Sequence, residues 1–191
     1  MNDPILALLS SRRSVKPDGL GPPGPGPREL ETMLTIAARV PDHKKLVPWR
    51  FITFEGDARA RFGEIIAGAC VAEEKEPPSA VRLAMERGRL LRAPLVVCVV
   101  SRVVARPGVP EWEQVLSAGA ACLSLCLAAN AMGYGTSWIT EWIAYSARVR
   151  TALGLADNER IAGFVYVGTP AERPDDRERP ALSDIVVGWQ G

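Results

Sequence analysis

Apolar positions along the chain alternate between helical and extended spacing, and the switches outline the elements. Leu30, Met33, Leu34 and Ala37 share one face of a helix over residues 28–39. After a break at Gly56-Asp57 the amphipathic pattern returns over 58–70. Residues 81–91 read as a further helix, with Arg82, Glu86, Arg87 and Arg89 facing water. Residues 94–100 are one continuous apolar run of strand length, which predicts a strand covered on both faces. Trp49, Phe51, Thr53 and Phe54 predict a strand over 49–55, and residues 161–167 a third, closed by Gly168-Thr169-Pro170. Asp3 can cap a short helix over 3–11 that has Pro4 in its first turn. A brief helix over 147–153 ends at Gly154, and residues 137–142 read as a short connection or strand.

The longest helical stretch, 111–132, opens a run from Val115 to Thr140 without a charged residue. That is long enough to span a bilayer. Its Ala, Gly and Ser content, Asn130 and the break at Gly133-Tyr134-Gly135 favour a central buried helix instead, so no membrane is expected. Ala118, Gly119, Ala120, Ala121, Ala128, Ala129 and Ala131 give it a thin surface on several sides. Such a helix can pack inside the domain and across a subunit interface, with Ala121 and Ala128 as partner-facing positions. The Gly/Pro-rich residues 19–27 predict an exposed loop of extended character. Residues 172–180 read as a solvated linker, and 181–191, with Leu182, Ile185, Val186, Val187 and Trp189, as an apolar tail that needs a surface, on its own domain or on a partner. There is no internal repeat. The interleaved elements predict an α/β or α+β class with helices on both faces of a small sheet, as one domain over 1–191 with an arm at 172–191.

Composition narrows the partners. The 191 residues are 47% hydrophobic and carry a formal net charge of +1, which gives no ground for nucleic acid or an anionic membrane as partner. Cys70, Cys98, Cys122 and Cys126 form no CxxC pair, and one histidine cannot complete a zinc set with them. They read as buried reduced thiols of a cytoplasmic protein. The apolar N-terminal stretch is short and lacks a positive region before it, so it reads poorly as a signal peptide.

Candidate chemistry gathers in two basic clusters. Arg12, Arg13, Ser14 and Lys16 follow the first helix. Two guanidinium forks and a hydroxyl suit a phosphate, although cations are also favoured at any helix C-terminus. The second cluster, Arg39, Asp42, His43, Lys44 and Lys45, lies where helix gives way to strand. Pro41 stops the helix, and Pro48 biases Val47 toward extended geometry. The two clusters are expected to form one site for a flat anionic ligand. His43, the single histidine, suits acid–base work, ligand hydrogen bonding or a solvated surface role; a metal lacks partners nearby. A Gly-x-Ser-x-Gly elbow is absent, and Gly133-Tyr134-Gly135 follows a helix, whereas a dinucleotide fingerprint follows a strand.

Taken in order, several short stretches resemble the nitroreductase superfamily of flavoenzymes, in its small single-domain bacterial branch. They are Arg12-Arg13-Ser14, Arg39-x-Pro41-Asp42-His43-Lys44-x-x-x-Pro48-Trp49-x-Phe51, Arg92-Ala93-Pro94-Leu95, Trp112-Glu113-Gln114 with Ser117-Ala118-Gly119, Gly133-Tyr134-Gly135-x-x-Trp138, and Gly163-Phe164-x-Tyr166-x-Gly168-Thr169-Pro170. The resemblance implies a three-layer α+β fold, a mostly antiparallel sheet flanked by helices, in a homodimer with FMN bound between subunits. It places the FMN phosphate at Arg12, Arg13 and Ser14 with a late cation at Arg173, and Lys16 at the pyrimidine edge of the flavin. Arg39 and His43 become FMN contacts, Trp138, Ile139 and Thr140 the segment beside the ring, and Ala128, Ala129, Asn130, Ala131, Met132 and Gly133 the region for the nicotinamide nucleotide. One departure stands out: where relatives often read Trp-Arg-Ser/Thr-Gly, this chain has Trp138-Ile139-Thr140-Glu141, gaining a carboxylate. The implied function is an FMN-dependent NAD(P)H oxidoreductase that takes electrons from NADH or NADPH and passes them to a small acceptor such as a nitroaromatic or quinone, with the flavin carrying the chemistry. Two alternatives remain: a flavin-binding carrier or sensor with little turnover, favoured if Glu141 blocks the nicotinamide, and a flavin-remodelling or dehalogenating member of the same superfamily.

Overall fold

The apolar run expected to be covered on both faces forms the middle of the sheet, with Leu95 to Ser101 buried without exception. The structure, a computed structural model, describes residues 3–191. Met1 and Asn2, the start of the stretch weighed as a leader, lie outside the described residues. The helices are α1 Pro4–Ser11, α2 Pro27–Ala37, α3 Asp57–Glu73, α4 Ala80–Gly88, α5 Glu111–Ala131, α6 Ala147–Ala152 and α7 Leu182–Ile185. The strands are β1 Leu20–Gly21, β2 Trp49–Glu55, β3 Leu95–Arg102, β4 Gly135–Ile139 and β5 Glu159–Pro170.

All strand pairings are antiparallel. β2 pairs β3 from Trp49↔Ser101 to Glu55↔Leu95, and β3 pairs β5 from Leu95↔Val167 to Arg102↔Glu159. β4 takes the other edge of β5, from Gly135↔Gly168 to Ile139↔Phe164. β1 adds Leu20↔Pro170 and Gly21↔Thr169 at the end of β5. Strand β5 therefore runs past the residues 161–167 read from the pattern, because β1 and β4 supply partners for its last residues. The register slips between Val99, opposite Gly163, and Val100, opposite Ile161, which leaves Ala162 as a bulge.

Side-chain alternation divides the sheet into two cores. Val96, Cys98, Val100, Phe164 and Tyr166 pack with Phe62, Ile66 and Ala69 of α3, Leu90, and Val149 of α6. Leu95, Val97, Val99, Val165 and Val167 pack with Leu30, Met33 and Ala37 of α2 and Ala118, Ala121, Cys122, Leu125 and Ala129 of α5. Fully burying a side chain such as Leu125 or Met33 stabilises the fold by about 1.5–3 kcal/mol. The result is a layered α+β domain, helices over both faces of an antiparallel sheet. The uncharged run is explained without a membrane: one face of α5 lies in the core. All four cysteines are free and buried.

Three expectations are corrected by packing, and one alternative for the tail is removed. Residues 19–27 are not wholly exposed: Leu20 is buried, β1 pairs with β5, and the Thr169 hydroxyl donates to the Pro23 carbonyl at 2.7 Å. Extended Gly/Pro backbone is suited to covering a strand end. Glu86 and Arg89 do not face water. Glu86 is 0% exposed and Arg89 is buried, because the pair binds each other and neighbouring charges. Ala121 and Ala128 sit in the core under α5, not on an outward face. The tail finds no surface on its own domain: residues 171–191 are exposed throughout, and Trp189 is 90% exposed.

Candidate functional site

Helix α1 ends at Arg12, and the next residues turn onto the sheet, where the Val15 amide donates to the Thr136 carbonyl at 2.9 Å. This places Arg12 and Arg13 beside the C-terminal end of α5. There Asn130, Gly133, Tyr134 and Gly135 line a cavity that Arg173 closes from the far end of the chain. Arg12, Arg13 and Arg173 all line it, and no Asp or Glu is among the described residues that do. Among the described residues Arg12 and Arg173 make no ion pair, whereas Arg13 donates from Nε to the Asp175 carbonyl at 2.9 Å. Asn130 donates from Nδ2 to the Tyr134 carbonyl at 2.9 Å, and its Oδ1 is buried without a partner. Gly133, at φ 91°, ends α5 in the left-handed conformation that glycine adopts without cost. Ser14 and Lys16 are exposed next to this cavity in sequence. Of the run 128–133, Ala128 and Ala129 are core residues, Ala131 is exposed and Met132 half-buried; only Asn130 and Gly133 line the cavity.

The second cluster is held by its own backbone. Asp42 accepts from the Leu46 amide at 2.9 Å and the Val47 amide at 2.8 Å, and the Val47 carbonyl accepts from Arg102 Nε at 2.8 Å. Held from both sides, Val47 lies at φ 49°, not in the extended region expected from Pro48; Lys44 and Lys45 also have positive φ. A β-branched residue there is strained, and such strain persists only where surrounding bonds over-determine it. The loop is tied to α5: Trp49 Nε1 donates to the Ser117 hydroxyl at 3.1 Å, which donates to the Pro41 carbonyl at 2.6 Å. His43 Nδ1 lies 2.8 Å from Glu113 Oε2. Together with Pro41, Pro48, Val109, Leu116 and Ala120 they line a mainly apolar cavity of about 340 Å³. Arg39 is exposed just before the loop.

Within one chain the two clusters do not meet. Glu113, beside His43, and Asn130, beside Arg12, stand at opposite ends of α5, roughly 25 Å apart at the helical rise per residue. Between them the outward face of α5 is apolar, with Leu116 53% and Leu123 45% exposed, and Trp112 just before Glu113 is 67% exposed.

The third predicted segment is built on β4. Trp138 is half-exposed, and its Nε1 donates to the bulged Ala162 carbonyl at 3.1 Å. Ile139 closes the ladder, and Thr140 leaves it. Glu141 then turns toward α4: its carboxylate binds Arg89 and Arg92, each at 2.7 Å. Burial pushes this carboxyl up, but the hydrogen bonds from Arg92 and Arg89 outweigh that and hold it below its ordinary range. The gained carboxylate is thus neutralised by two guanidinium groups. Buried thiols supply no nucleophile nearby; burial pushes Cys98 up to about 12. Sequence reasoning missed the Glu113 and Glu141 pairings, because both partners lie far along the chain.

The pattern of the Nitroreductase family matches residues 9–169 of the chain. The Escherichia coli K12 protein YdjA, which carries an NAD(P)H nitroreductase name, is 36% identical over 165 residues, covering 86% of this chain and 87% of that protein. A nitroreductase-like family protein from Bacillus cereus has the same fold at a TM-score of 0.86 and 21% identity, over 100% of this chain and 98% of that one. A nitroreductase-named protein from Desulfovibrio desulfuricans, solved in complex with FMN, matches at a TM-score of 0.75 and 22% identity, over 100% and 99%. The chain belongs to the Nitroreductase family.

Proposed function

We propose that the protein is an FMN-dependent NAD(P)H oxidoreductase that delivers electrons to a small acceptor such as a nitroaromatic or a quinone. The observation that carries this reading is the cavity at Arg12, Arg13 and Arg173. Three guanidinium groups without a carboxylate suit a phosphate dianion, since each can donate two parallel bonds to its oxygens. FMN fits this donor set, the nitroreductase named from Desulfovibrio desulfuricans holds FMN, and the name of YdjA specifies NAD(P)H. Bound FMN would supply the hydride and electron chemistry. The chain's residues would do the rest: Arg12, Arg13 and Arg173 neutralise phosphate, Lys16 places an ammonium at the pyrimidine edge, and Trp138 to Thr140 flank the ring.

A homodimer completes the site in this reading. In it two copies would pack their exposed apolar α5 faces antiparallel about a two-fold axis. That packing brings the His43 end of one chain to the Arg12 end of the other, joining the clusters that a single chain holds roughly 25 Å apart. The exposed tail gains a surface in the same assembly. A flavin carrier with little turnover is favoured only if Glu141 obstructs the nicotinamide; its carboxylate is instead engaged by Arg89 and Arg92.

The test is the absorption spectrum of the purified protein, followed by anaerobic addition of NADH or NADPH. Flavin bands, FMN released on denaturation and bleaching by either nucleotide are expected. A colourless protein that takes up no added FMN overturns the reading.

A further inference from the structure

Residue 141 has a backbone that side chains avoid. Glu141 lies at φ 53° and ψ −179°, close to the region that only glycine occupies readily. A conformation of this kind persists only when neighbouring contacts enforce it. Two arginines supply those contacts. Arg92 grips the carboxylate with Nη1 at 3.2 Å and Nη2 at 2.7 Å, and Arg89 adds Nη1 at 2.7 Å. Both arginines are themselves fixed. Arg89 binds the fully buried Glu86 through two bonds of 2.5 Å, and Arg92 Nη2 donates to the Tyr166 hydroxyl at 2.9 Å from the centre of β5. Glu86 also accepts from Arg82 at 2.8 Å and from Trp142 Nε1 at 3.2 Å, so the residue after Glu141 is tied to the same cluster.

Three arginines and two glutamates thus meet at the point where β4 stops. Immediately before it lies the segment Trp138–Thr140, anchored upstream by Trp138 on the Ala162 carbonyl. The segment is held at both ends, one of them strained.

We propose that Glu141 is a positioning residue: its clamp by Arg89 and Arg92 forces the turn after β4 and thereby sets Trp138–Thr140 for the flavin ring. The proposal rests on the FMN reading above. The carboxylate supplies the force, since a neutral amide cannot make the same charge-assisted bonds to two guanidinium groups. The strain makes the clamp necessary, since glycine would adopt the turn unaided. The two features give opposite expectations for two substitutions at one position, which a general loss of stability does not.

The experiment compares wild-type protein with Glu141→Gln and Glu141→Gly. FMN affinity is measured by titrating flavin-stripped protein, and amide hydrogen exchange over residues 138–142 is read on the same stripped protein, with β3 amides as the internal reference. Glu141→Gln is expected to weaken FMN at least tenfold and to speed exchange at 138–142 while β3 stays protected. Glu141→Gly is expected to stay within about threefold of wild type in affinity, because the turn no longer needs force. Equal losses in both variants, or wild-type behaviour of Glu141→Gln, overturn the proposal. Faster exchange without loss of affinity overturns the link to the flavin. Should Glu141→Gln fail to fold, Arg92→Lys, which keeps the charge but loses the two-pronged grip, carries the same comparison. If wild-type protein binds no FMN, the cofactor reading fails, and the exchange arm alone still decides whether the clamp holds the turn.

Discussion

The indole of Trp138 occupies the space that a side chain on Gly163 would need: a Cβ at 163 would overlap its Nε1 and Cδ1. The strand β5 is bulged next to this glycine, at Ala162, and the carbonyl freed by the bulge accepts from the same indole. A glycine, a bulge and a tryptophan on the neighbouring strand thus fix one ring at the end of β4. Gly163→Ala is expected to expel the indole and to cost about 1–3 kcal/mol, as overpacking does. Urea denaturation and a red-shifted, more quenchable tryptophan emission would register it. An unchanged emission spectrum would show that the ring relaxes without leaving.

The phosphate reading separates the three arginines by their existing bonds. Arg12→Ala and Arg173→Ala are each expected to remove a charge-assisted contact worth about 1.5–3 kcal/mol, tenfold or more in FMN affinity. Arg13→Ala is expected to lose less, since its Nε is already committed to the Asp175 carbonyl. Flavin titration of the three variants checks the order, and wild-type affinity in all three would move the phosphate elsewhere.

The shared-site reading makes the outward face of α5 the place to test assembly. Leu116→Glu and Leu123→Glu put a charge on the exposed apolar stripe without entering the chain's own core. An unpaired charge in a dry contact is costly, so both are expected to give monomers that lose flavin together with the partner. Light scattering and the flavin spectrum on one sample decide it; a monomer with full flavin occupancy refutes the shared site.

Acid sensitivity follows from two carboxyls. The Arg50 hydrogen bonds hold the Glu159 carboxyl below its ordinary 4.5 against the opposing push of burial, and the two-arginine clamp does the same for Glu141. Both bind protons more weakly in the folded than in the unfolded chain. Their contribution to stability is therefore complete above the ordinary carboxyl value and is lost as pH falls through the depressed folded values. Unfolding free energy should be level from about pH 7 to about pH 5 and fall below that. Glu159→Gln should lower it at neutral pH and flatten the acid limb. An acid limb as steep as wild type would remove Glu159 from the account.

The strained loop gives a test of backbone control. Asp42→Ala removes the acceptor of two amides, and is expected to cost about 1–3 kcal/mol. Val47→Gly relieves the positive φ and should recover part of that loss in the double variant. Thermal unfolding of the single and double variants measures the coupling, which additivity would refute.

The local pattern of the chain determined most of the elements. Spacing alone placed Leu30, Met33 and Ala37 on the buried face of α2, and the unbroken apolar run placed β3 in the middle of the sheet, because burial on one face or on two leaves a period in the sequence. The basic cluster Arg12-Arg13 was legible as a phosphate candidate for a related reason: residue type states what chemistry is available. Where that chemistry goes was decided by tertiary structure. Arg173 joins Arg12 from the far end of the chain, while His43, nearer in sequence, stands at the other end of α5. Glu86 and Arg89 read as solvated residues and are buried, because ion pairing with Arg82 and Glu141 offsets a cost that no single position reveals. Val47 and Glu141 take backbone angles against their residue type, because Asp42 and Arg102 hold the one and Arg89 and Arg92 the other. A local pattern records what each residue prefers; the side-chain contacts of the folded chain, near and far in sequence, can overrule it.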